Sequence, residues 1–248
     1  MSRLARVIPC YNEEHRLPAD ELRRFSLPGL ELELLLVNDG SSDGTLQLLQ
    51  SLEQEDPKRF HVVNLAQNSG KAEAVRQGIL AALERKPDYT GFWDADLATP
   101  LNELPLFVEI LDSRPNVQMV MGARVRLLGR EISRHASRHY FGRVGATLIS
   151  QTLNLAVYDT QCGAKLFRAT GDTRHVFSTP FLSRWIFDVE VIARYVRLWG
   201  RDLAARSIVE VPVRQWHDVK GSKLKSGDFA RALRDLWRIR RAYKMKGK

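Results

Sequence analysis

Short apolar runs that each end in polar residues limit the folds open to this sequence. Five such runs occupy its first half, and amphipathic segments separate them. This alternation predicts parallel strands joined by right-handed helical crossovers. The sequence therefore predicts an α/β fold with one domain, built on a doubly wound, mostly parallel sheet whose polar loops gather at one edge. The five predicted strands cover residues 4–9, 32–37, 61–65, 89–93 and 117–121.

The other predicted elements follow from hydrophobic periodicity. Apolar residues at helical spacing predict helices over 45–52, 72–83, 103–111 and 144–157, a helix after Trp185, and a C-terminal helix. Residues 158–168 predict a turn followed by a strand, and residues 208–213 predict one more strand.

Length and composition narrow the class of protein. The 248 residues, 44% of them hydrophobic, suffice for one large domain. No run reaches the roughly 18–20 apolar residues that a membrane-spanning helix needs, and no signal peptide is expected. The two cysteines, Cys10 and Cys162, make neither a disulfide framework nor a metal cluster, which favours a reduced cytosolic protein.

The positive charge is concentrated at the C-terminus. Residues 221–248 carry ten basic and two acidic residues, which is nearly all of the net charge of +9. Residues 228–244 predict an amphipathic helix, and such a helix is typical of an anionic membrane surface. Packing on the sheet with a solvated basic rim is the alternative. No nucleic acid is expected, because no recognised motif accompanies the charge.

Two carboxylates follow the apolar run at residues 89–93. Asp94 and Asp96 are separated by one residue, beyond the predicted carboxyl end of a buried strand. Paired acids are costly there unless a cation lies near them, and oxygen ligands suit Mg²⁺ or Mn²⁺ bridging to phosphates. A solvated turn is the alternative reading of this spacing alone.

The loops after the first three strands carry further polar candidates. Tyr11 can stack on a base, and Glu13 can bond to the base or its ribose, although acids also open ordinary helices. Asp39 follows the second strand, where helix capping does not explain it. Lys71 at a helix N-terminus opposes the macrodipole, so it is a candidate for phosphate contact.

The second half contains an arginine-rich stretch and a second acid. Arg130, Arg134 and Arg138 share one helical face, which suits capture of a phosphate-bearing acceptor or a solvated surface. Asp159 has no local cap partner. Cys162 lacks the base and orienting group of a catalytic thiol and is expected to be a small buried residue.

In this order the motifs resemble the family-2 glycosyltransferases with a GT-A fold, and within them the dolichyl- and polyprenyl-phosphate glucosyltransferases and mannose synthase-like enzymes. The resemblance covers residues 4–244. It rests on the motifs at residues 7–13, 37–45, 68–71, 94–99, 159–163, 185–190 and 221–224.

The resemblance implies a role for each candidate. On the donor side it implies Pro9, Tyr11, Glu13, Val37, Asp39, Lys71, Asp94, Ala95, Asp96, Arg124 and Lys223. Within this set Asp94 and Asp96 would meet Mg²⁺ or Mn²⁺, with Asp96 as the direct ligand. Asp96, Asp159 and Arg138 would be the catalytic set, with Arg138 steering the acceptor phosphate and Asp159 as the acceptor-side acid.

The implied activity is inverting transfer of a hexose, expected to be glucose from UDP-glucose, to a polyprenyl or dolichyl phosphate. Ala98 and His217 replace a glutamine and an arginine of mannosyl-transferring relatives, which makes GDP-mannose the alternative donor. A soluble acceptor and a non-catalytic nucleotide-sugar-binding module are further alternatives. Without an N-terminal anchor, the protein is expected to be cytoplasmic and peripheral at the inner face of a membrane.

The predicted organisation is one glycosyltransferase domain over residues 1–225, followed by the basic helix over 226–248. Within the domain, residues 1–123 would bind the nucleotide sugar and residues 124–225 would serve the acceptor.

Overall fold

The computed structural model describes residues 2–133, 136–217 and 228–244, and the side chains of all these except 133, 136–144 and 228–230. The chain forms two compact units, and each is discontinuous in sequence. The first contains the residues up to Leu97 together with Gly163–Pro180. The second contains Ala98–Cys162 and the described part of the chain from Phe181 onward.

The first unit is a five-stranded sheet with helical connections. Its strands lie in the order β3-β2-β1-β4-β7; β1 to β4 are parallel, and β7 is antiparallel to β4. Its elements are β1 (Ser2–Cys10), α1 (Ala19–Arg24), β2 (Leu30–Asp39), α2 (Thr45–Glu55), β3 (Phe60–Leu65), α3 (Lys71–Glu84), β4 (Tyr89–Trp93), β7 (Ala164–Arg168) and α6 (Gly171–Phe177).

Apolar strand residues make the core of this sheet. In β2 every residue from Glu33 to Asp39 is buried. Strands β1 and β3 pair with the two edges of β2. All five residues of β4 are buried. Strands that are apolar without alternation are covered on both faces, which is why the run at residues 89–93 folds as a central strand.

One charged residue lies in this core. Arg6 on β1 is fully buried, and its guanidinium carbon lies 4.4 Å from the ring centroid of Trp93. None of its guanidinium nitrogens has a hydrogen-bond acceptor among the described residues. Burial lowers the pKa of Arg6 from its usual range to about 9, and Glu21 only partly opposes this effect.

The second unit contains two pairs of parallel strands. Strand β5 pairs with β8, and β6 pairs with β9. Its elements are a 3-10 turn (Leu101–Glu103), α4 (Leu104–Ser113), β5 (Met119–Ala123), β6 (Glu131–Ser133), α5 (Ala136–Leu153), α7 (Phe187–Trp199), α8 (Arg201–Ser207), β8 (Ile208–Pro212), β9 (Gln215–His217) and α9 (Asp228–Ala242).

Helix α9 packs on the second unit through one face. Leu236 and Ile239 are buried, whereas Leu233 and Trp237 are exposed. Tyr243, just past the helix, donates a hydrogen bond to Glu190 Oε1 on α7 (2.7 Å). The apolar face that the sequence predicts for α9 is therefore only partly buried in the second unit. The rest of it is exposed to solvent beside arginines.

The predicted fold class is confirmed, since the chain is α/β with a mostly parallel sheet. The predicted β4 matches the observed strand, while the predicted fifth strand begins two residues too early. The helix predicted over 144–157 begins earlier and ends at Leu153, where Asn154 has a φ of 50°. Across the described residues, every helix is too short or too polar to traverse a bilayer.

The predicted split of the domain at residue 123 is a different division from the two compact units. Strand β5 lies in the second unit, and β7 with α6 returns to the first. The assignment of halves to donor and acceptor stays a prediction.

Candidate functional site

The acidic pair stands at the carboxyl end of β4. Asp94 and Asp96 follow the five buried residues of the strand, yet their side chains keep 33% and 26% of their exposure. The amide of Leu97 donates to the carbonyl of Asp94 (3.1 Å), and Leu97 has a φ of 48°. This tight turn presents both carboxylates at the strand end, where α/β sheets bind their ligands.

A lysine contacts the first carboxylate. Lys71 Nζ lies 2.5 Å from Asp94 Oδ1. Lys71 is the first residue of α3, where the helix dipole disfavours a positive side chain. The Asp94 carboxylate offsets the unfavourable interaction of Lys71 with the helix dipole. The start of α3 therefore has a lysine–carboxylate ion pair and no side-chain cap.

Asp39 fixes the loop that leads to Lys71. Its carboxylate accepts hydrogen bonds from the amides of Ser69 (2.7 Å) and Gly70 (2.8 Å) and from the side-chain amide of Asn68 (3.0 Å). The sequence prediction placed base or ribose bonds on Asp39, and the described contacts are with its own chain. Asp39, Lys71 and Asp94 are thus brought together by one short loop.

A second cation links β1 to the acidic pair. Arg16 Nη2 lies 3.8 Å from Asp96 Oδ2, and Arg16 Nη1 lies 3.5 Å from Glu13 Oε1. The amide of Glu13 donates to Thr45 Oγ1 (2.8 Å), which ties the loop after β1 to the start of α2. The loops after β1, β2 and β4 therefore meet, as predicted for one edge of a parallel sheet.

Gly163 lies directly against Asp94. Its carbonyl accepts the Asp94 amide hydrogen bond (2.9 Å), and a Cβ atom at this position would overlap the Asp94 carboxylate. Glycine therefore leaves the space in which that carboxylate sits.

The remaining donor-side candidates of the first unit differ in exposure. Pro9 and Tyr11 are partly exposed at the end of β1. Val37 is fully buried and Ala95 is 6% exposed, so a ligand would meet mainly their backbone.

In the second unit, Arg124 and Asp159 form a two-pronged ion pair. Arg124 donates from Nε to Asp159 Oδ2 (2.7 Å) and from Nη2 to Oδ1 (2.8 Å), and its amide also donates to Oδ2 (2.9 Å). Glu210 on β8 accepts the amides of Tyr158 and Asp159 at 2.8 Å. Asp159, predicted for the acceptor, and Arg124, predicted for the donor, are therefore held together. The loop that carries Asp159 is bonded to β8.

Two predicted residues lie outside the described parts. The side chain of Arg138 and the whole of Lys223 belong to them, so their predicted roles stay predictions. Cys162 is fully buried, with its sulfur 3.6 Å from Thr99 Oγ1.

A groove of about 360 Å³ adjoins the loop of Asp159. It is lined by small and polar residues of α5 and by the segment that leads to Tyr158. The lining residues are Ala146, Thr147, Ser150, Gln151, Ala156, Val157 and Tyr158.

The acidic pair fits a divalent ion that takes only part of its ligands from protein. Asp94 and Asp96 offer partly exposed oxygens, each already next to a cation. Among the described residues no group of three or more His, Cys, Asp or Glu side chains is placed to hold an ion alone. Mg²⁺ and Mn²⁺ sites that bridge to phosphates commonly use one or two carboxylates and waters.

Sequence reasoning missed Arg16 and Glu210. Arg16 follows Glu13 at helical spacing, a signal that was available, whereas Glu210 lies in a strand with no adjacent motif. The spatial role of Gly163 was also missed, although its motif was noted.

Comparison with known proteins agrees with this geometry. The family profile described as "Glycosyl transferase family 2" matches residues 6–174. The Dolichyl-phosphate beta-glucosyltransferase of Dictyostelium discoideum is 32% identical over 257 residues, which cover 97% of this chain and 74% of that protein. The enzyme of the same name from Saccharomyces cerevisiae is 30% identical over 262 residues, 97% of this chain and 75% of its own.

Solved structures show the same fold. Glucosyl-3-phosphoglycerate synthase from Mycobacterium tuberculosis, in complex with Mn²⁺ and uridine-diphosphate-glucose, superposes with a TM-score of 0.67 at 18% identity. The alignment covers 98% of this chain and 79% of that one. The same synthase in another crystal structure gives a TM-score of 0.68 at 19% identity, over 96% and 80% of the two chains.

Proposed function

Because the chain belongs to glycosyl transferase family 2 and is therefore a glycosyltransferase, we propose that it moves glucose from UDP-glucose to a polyprenyl phosphate such as dolichyl phosphate. The curated relatives named above support the lipid phosphate as acceptor. The observation that carries the proposal is the contact of Lys71 Nζ with Asp94 Oδ1, at the end of β4.

The donor is assigned to the first unit. A nucleoside diphosphate needs a flat surface for its base, hydrogen-bond partners for its ribose and positive charge for its phosphates. Tyr11 and Glu13 at the end of β1 supply the first two, with the main chain around Asp39 beside them. Lys71 supplies the charge at the first turn of α3, where helix amides favour anions.

Asp94 and Asp96 are proposed to hold Mg²⁺ or Mn²⁺ with the diphosphate. In the complex the ion would supply Lewis-acid stabilisation of the negative charge on the leaving diphosphate. Lys71 and Arg16 already lie beside the two carboxylates, so the donor's phosphates would approach a region of balanced charge.

The acceptor side is assigned to the second unit. Arg124, held in a two-pronged bond by the acceptor-side Asp159, is a fixed cation suited to a phosphate or sugar oxygen of the donor. This contact supports a role for Asp159 as an orienting group rather than as a required base. Arg138 is proposed to place positive charge near the acceptor phosphate, and Lys223 is proposed to do so near the donor. The groove beside Tyr158 is proposed to accept the first part of the lipid chain.

The proposed reaction is a single displacement. An oxygen of the acceptor phosphate attacks the anomeric carbon, and the bond from that carbon to the diphosphate oxygen breaks with its electron pair leaving on UDP. The configuration is inverted. A phosphate oxygen is already anionic near neutral pH, so the chain contributes position and charge more than proton transfer.

The central test is Asp96→Asn. We expect transfer to fall about a thousandfold or more, because the substitution removes a carboxylate charge that is proposed to hold the cation, and the cation would stabilise the negative charge developing on the leaving diphosphate. The assay mixes UDP-glucose with polyprenyl phosphate and reads the product by mass. The control is Asp202→Asn on α8, an exposed acid outside the site. A folded Asp96→Asn protein with wild-type turnover contradicts the proposal.

The same assay separates donors and acceptors. We expect UDP-glucose to be used at least tenfold faster than GDP-mannose, and the lipid phosphate to be preferred to soluble phosphorylated acceptors. Binding of UDP-glucose in calorimetry without any product would support a binding module instead.

A further inference from the structure

A turn in the second unit projects two leucines into solvent. It runs from Arg126 to Arg130 and is here called the leucine turn. Leu127 is 50% exposed and Leu128 is 104% exposed, so Leu128 is as open as in an extended peptide. Proteins rarely leave adjacent large apolar side chains this open without a binding partner.

The leucine turn is closed by its own backbone. The amide of Arg130 donates to the carbonyl of Leu127 (3.1 Å). Gly129 has a φ of 77°, a conformation that glycine adopts without strain. The polar backbone is partly satisfied inside the turn, which lowers the cost of moving the tip out of water.

Both ends of the turn are attached to the unit. On one side the amide and side chain of Arg124 bond to Asp159, and the amide of Val125 donates to the carbonyl of Ala123 (3.0 Å). On the other side the amide of Glu131 donates to the carbonyl of Arg214 (2.9 Å), where β6 meets β9. The leucines therefore protrude from a fixed base.

The shape and the charge of the turn select the partner. A convex tip enters a fluid bilayer without a matching groove, whereas a protein partner would need one. Arg126 and Arg130 flank the leucines, and no acidic residue lies between Arg124 and Arg130. Apolar tips with flanking arginines suit lipid tails beneath anionic headgroups.

We propose that the leucine turn inserts Leu127 and Leu128 into the surface of an anionic bilayer, with Arg126 and Arg130 among the headgroups. The inference deepens the proposed function and rests on it for the lipid-borne acceptor. Arg124 is two residues before the turn and is bonded to Asp159, so insertion would fix Arg124 and the acceptor-side acid Asp159 close to the headgroup phosphates.

The first test is vesicle flotation of the full chain carrying Leu127→Ser and Leu128→Ser. The vesicles contain phosphatidylcholine with a minority of phosphatidylglycerol. Losing two leucine side chains from the bilayer should weaken the partition coefficient at least about tenfold. Leu198→Ser with Leu203→Ser is the control, because these two leucines are also exposed (40% and 46%), and Leu203 follows Asp202 directly in the sequence.

Three outcomes overturn the proposal. They are unchanged flotation of the leucine-turn variant, an equal loss in the control variant, and a change in oligomeric state without loss of lipid binding. The last would assign the turn to contact with a second copy. Thermal unfolding of both variants checks that the fold is retained.

Activity separates this inference from the proposed function. With polyprenyl phosphate in vesicles, kcat/KM of the leucine-turn variant should fall about tenfold, while a short water-soluble polyprenyl phosphate should be used as by wild type. An equal loss with both acceptors contradicts membrane insertion. If wild type transfers to neither acceptor, the proposed function fails, and flotation still tests the turn.

Discussion

At the scale of single residues, the position of Asp94 depends on the absence of a side chain at Gly163. We expect Gly163→Ala to lower transfer about a hundredfold, because misplaced catalytic groups lose rate steeply. The melting temperature should change little, since the overlapping atoms are the end of a flexible side chain that can rotate away by giving up its contact with Lys71. Steady-state kinetics and thermal unfolding of the purified variant measure both effects.

Gly171→Ala is the matched control for this substitution. Gly171 begins α6 in the same unit, and a Cβ there meets no atom within 4 Å. It should retain wild-type turnover. Full activity in Gly163→Ala would show that Asp94 does not need its observed position.

Arg6 is a residue whose charge opposes folding. The folded protein binds this proton more weakly than the unfolded chain, since burial lowers the pKa of the Arg6 guanidinium to about 9. The cost is therefore constant below about pH 9 and declines as the pH rises through the alkaline range. We expect Arg6→Met to raise the free energy of unfolding at pH 7 by about 1–3 kcal/mol, beyond the lost contact with Trp93.

In differential scanning calorimetry at pH 7, this gain should appear as a rise in melting temperature of roughly 2–4 °C per kcal/mol. Arg24→Met in α1 serves as the control, because Arg24 is exposed and should change stability little. A lower melting temperature for Arg6→Met would mean that the buried charge is net stabilising.

The sequence predicted which residues gather at the strand ends better than it predicted their contacts. Asp94 and Lys71 were assigned by position alone, and they do meet. Asp39 was assigned to the ligand, yet its carboxylate binds three groups of the loop after β3. No local sequence pattern distinguishes an Asp39 that binds a ligand from one that binds its own chain, because its partner Ser69 is thirty residues away in the sequence.

At the scale of elements, the attachment of α9 depends on Tyr243. Its hydroxyl donates to Glu190 and accepts from Arg194 Nε (3.0 Å). Burial, followed by the bond to Glu190, raises the pKa of Tyr243 to about 12. The folded state holds this proton more tightly than the unfolded chain, so the contribution to stability is full below about pH 10 and is lost as the pH rises towards 12.

Tyr243→Phe should cost about 1–2 kcal/mol at pH 7, because it removes two hydrogen bonds to a buried charged pair. It should also remove the loss of stability between about pH 10 and pH 12 that this tyrosine causes. Urea unfolding at neutral and alkaline pH tests both statements. An unchanged alkaline slope in the variant would exclude Tyr243 as its source.

Elements with strong periodicity were predictable, and those set by tertiary contacts were not. Strand β4 is apolar throughout and was found at its observed bounds. Helices α1, α6 and α8 have only six or seven residues, which is too short for a clear period. The antiparallel direction of β7 depends on its pairing with β4, and no feature of its own sequence reports that pairing.

At the scale of the whole molecule, the uneven charge predicts how membrane binding responds to salt. Residues 221–248 hold most of the +9 net charge, and Leu233 and Trp237 on α9 are exposed beside it. Binding to anionic vesicles should weaken several-fold between about 0.05 and 0.5 M NaCl, since exposed charges are screened over shorter distances. Vesicles of phosphatidylcholine alone are the control. Binding that is equally tight at both salt concentrations would contradict the electrostatic contribution.

The antiparallel pairing of β7 with β4 has a consequence for biosynthesis. Residues 98–162 leave the ribosome before β7 does, so the hydrogen-bonding edge of β4 has to wait for its neighbour. Unpaired strand edges invite association between nascent chains. Ribosomes stalled before residue 163 should therefore display an immature first unit that depends on chaperones. Protease resistance of this unit should emerge only after residue 168 has cleared the exit tunnel.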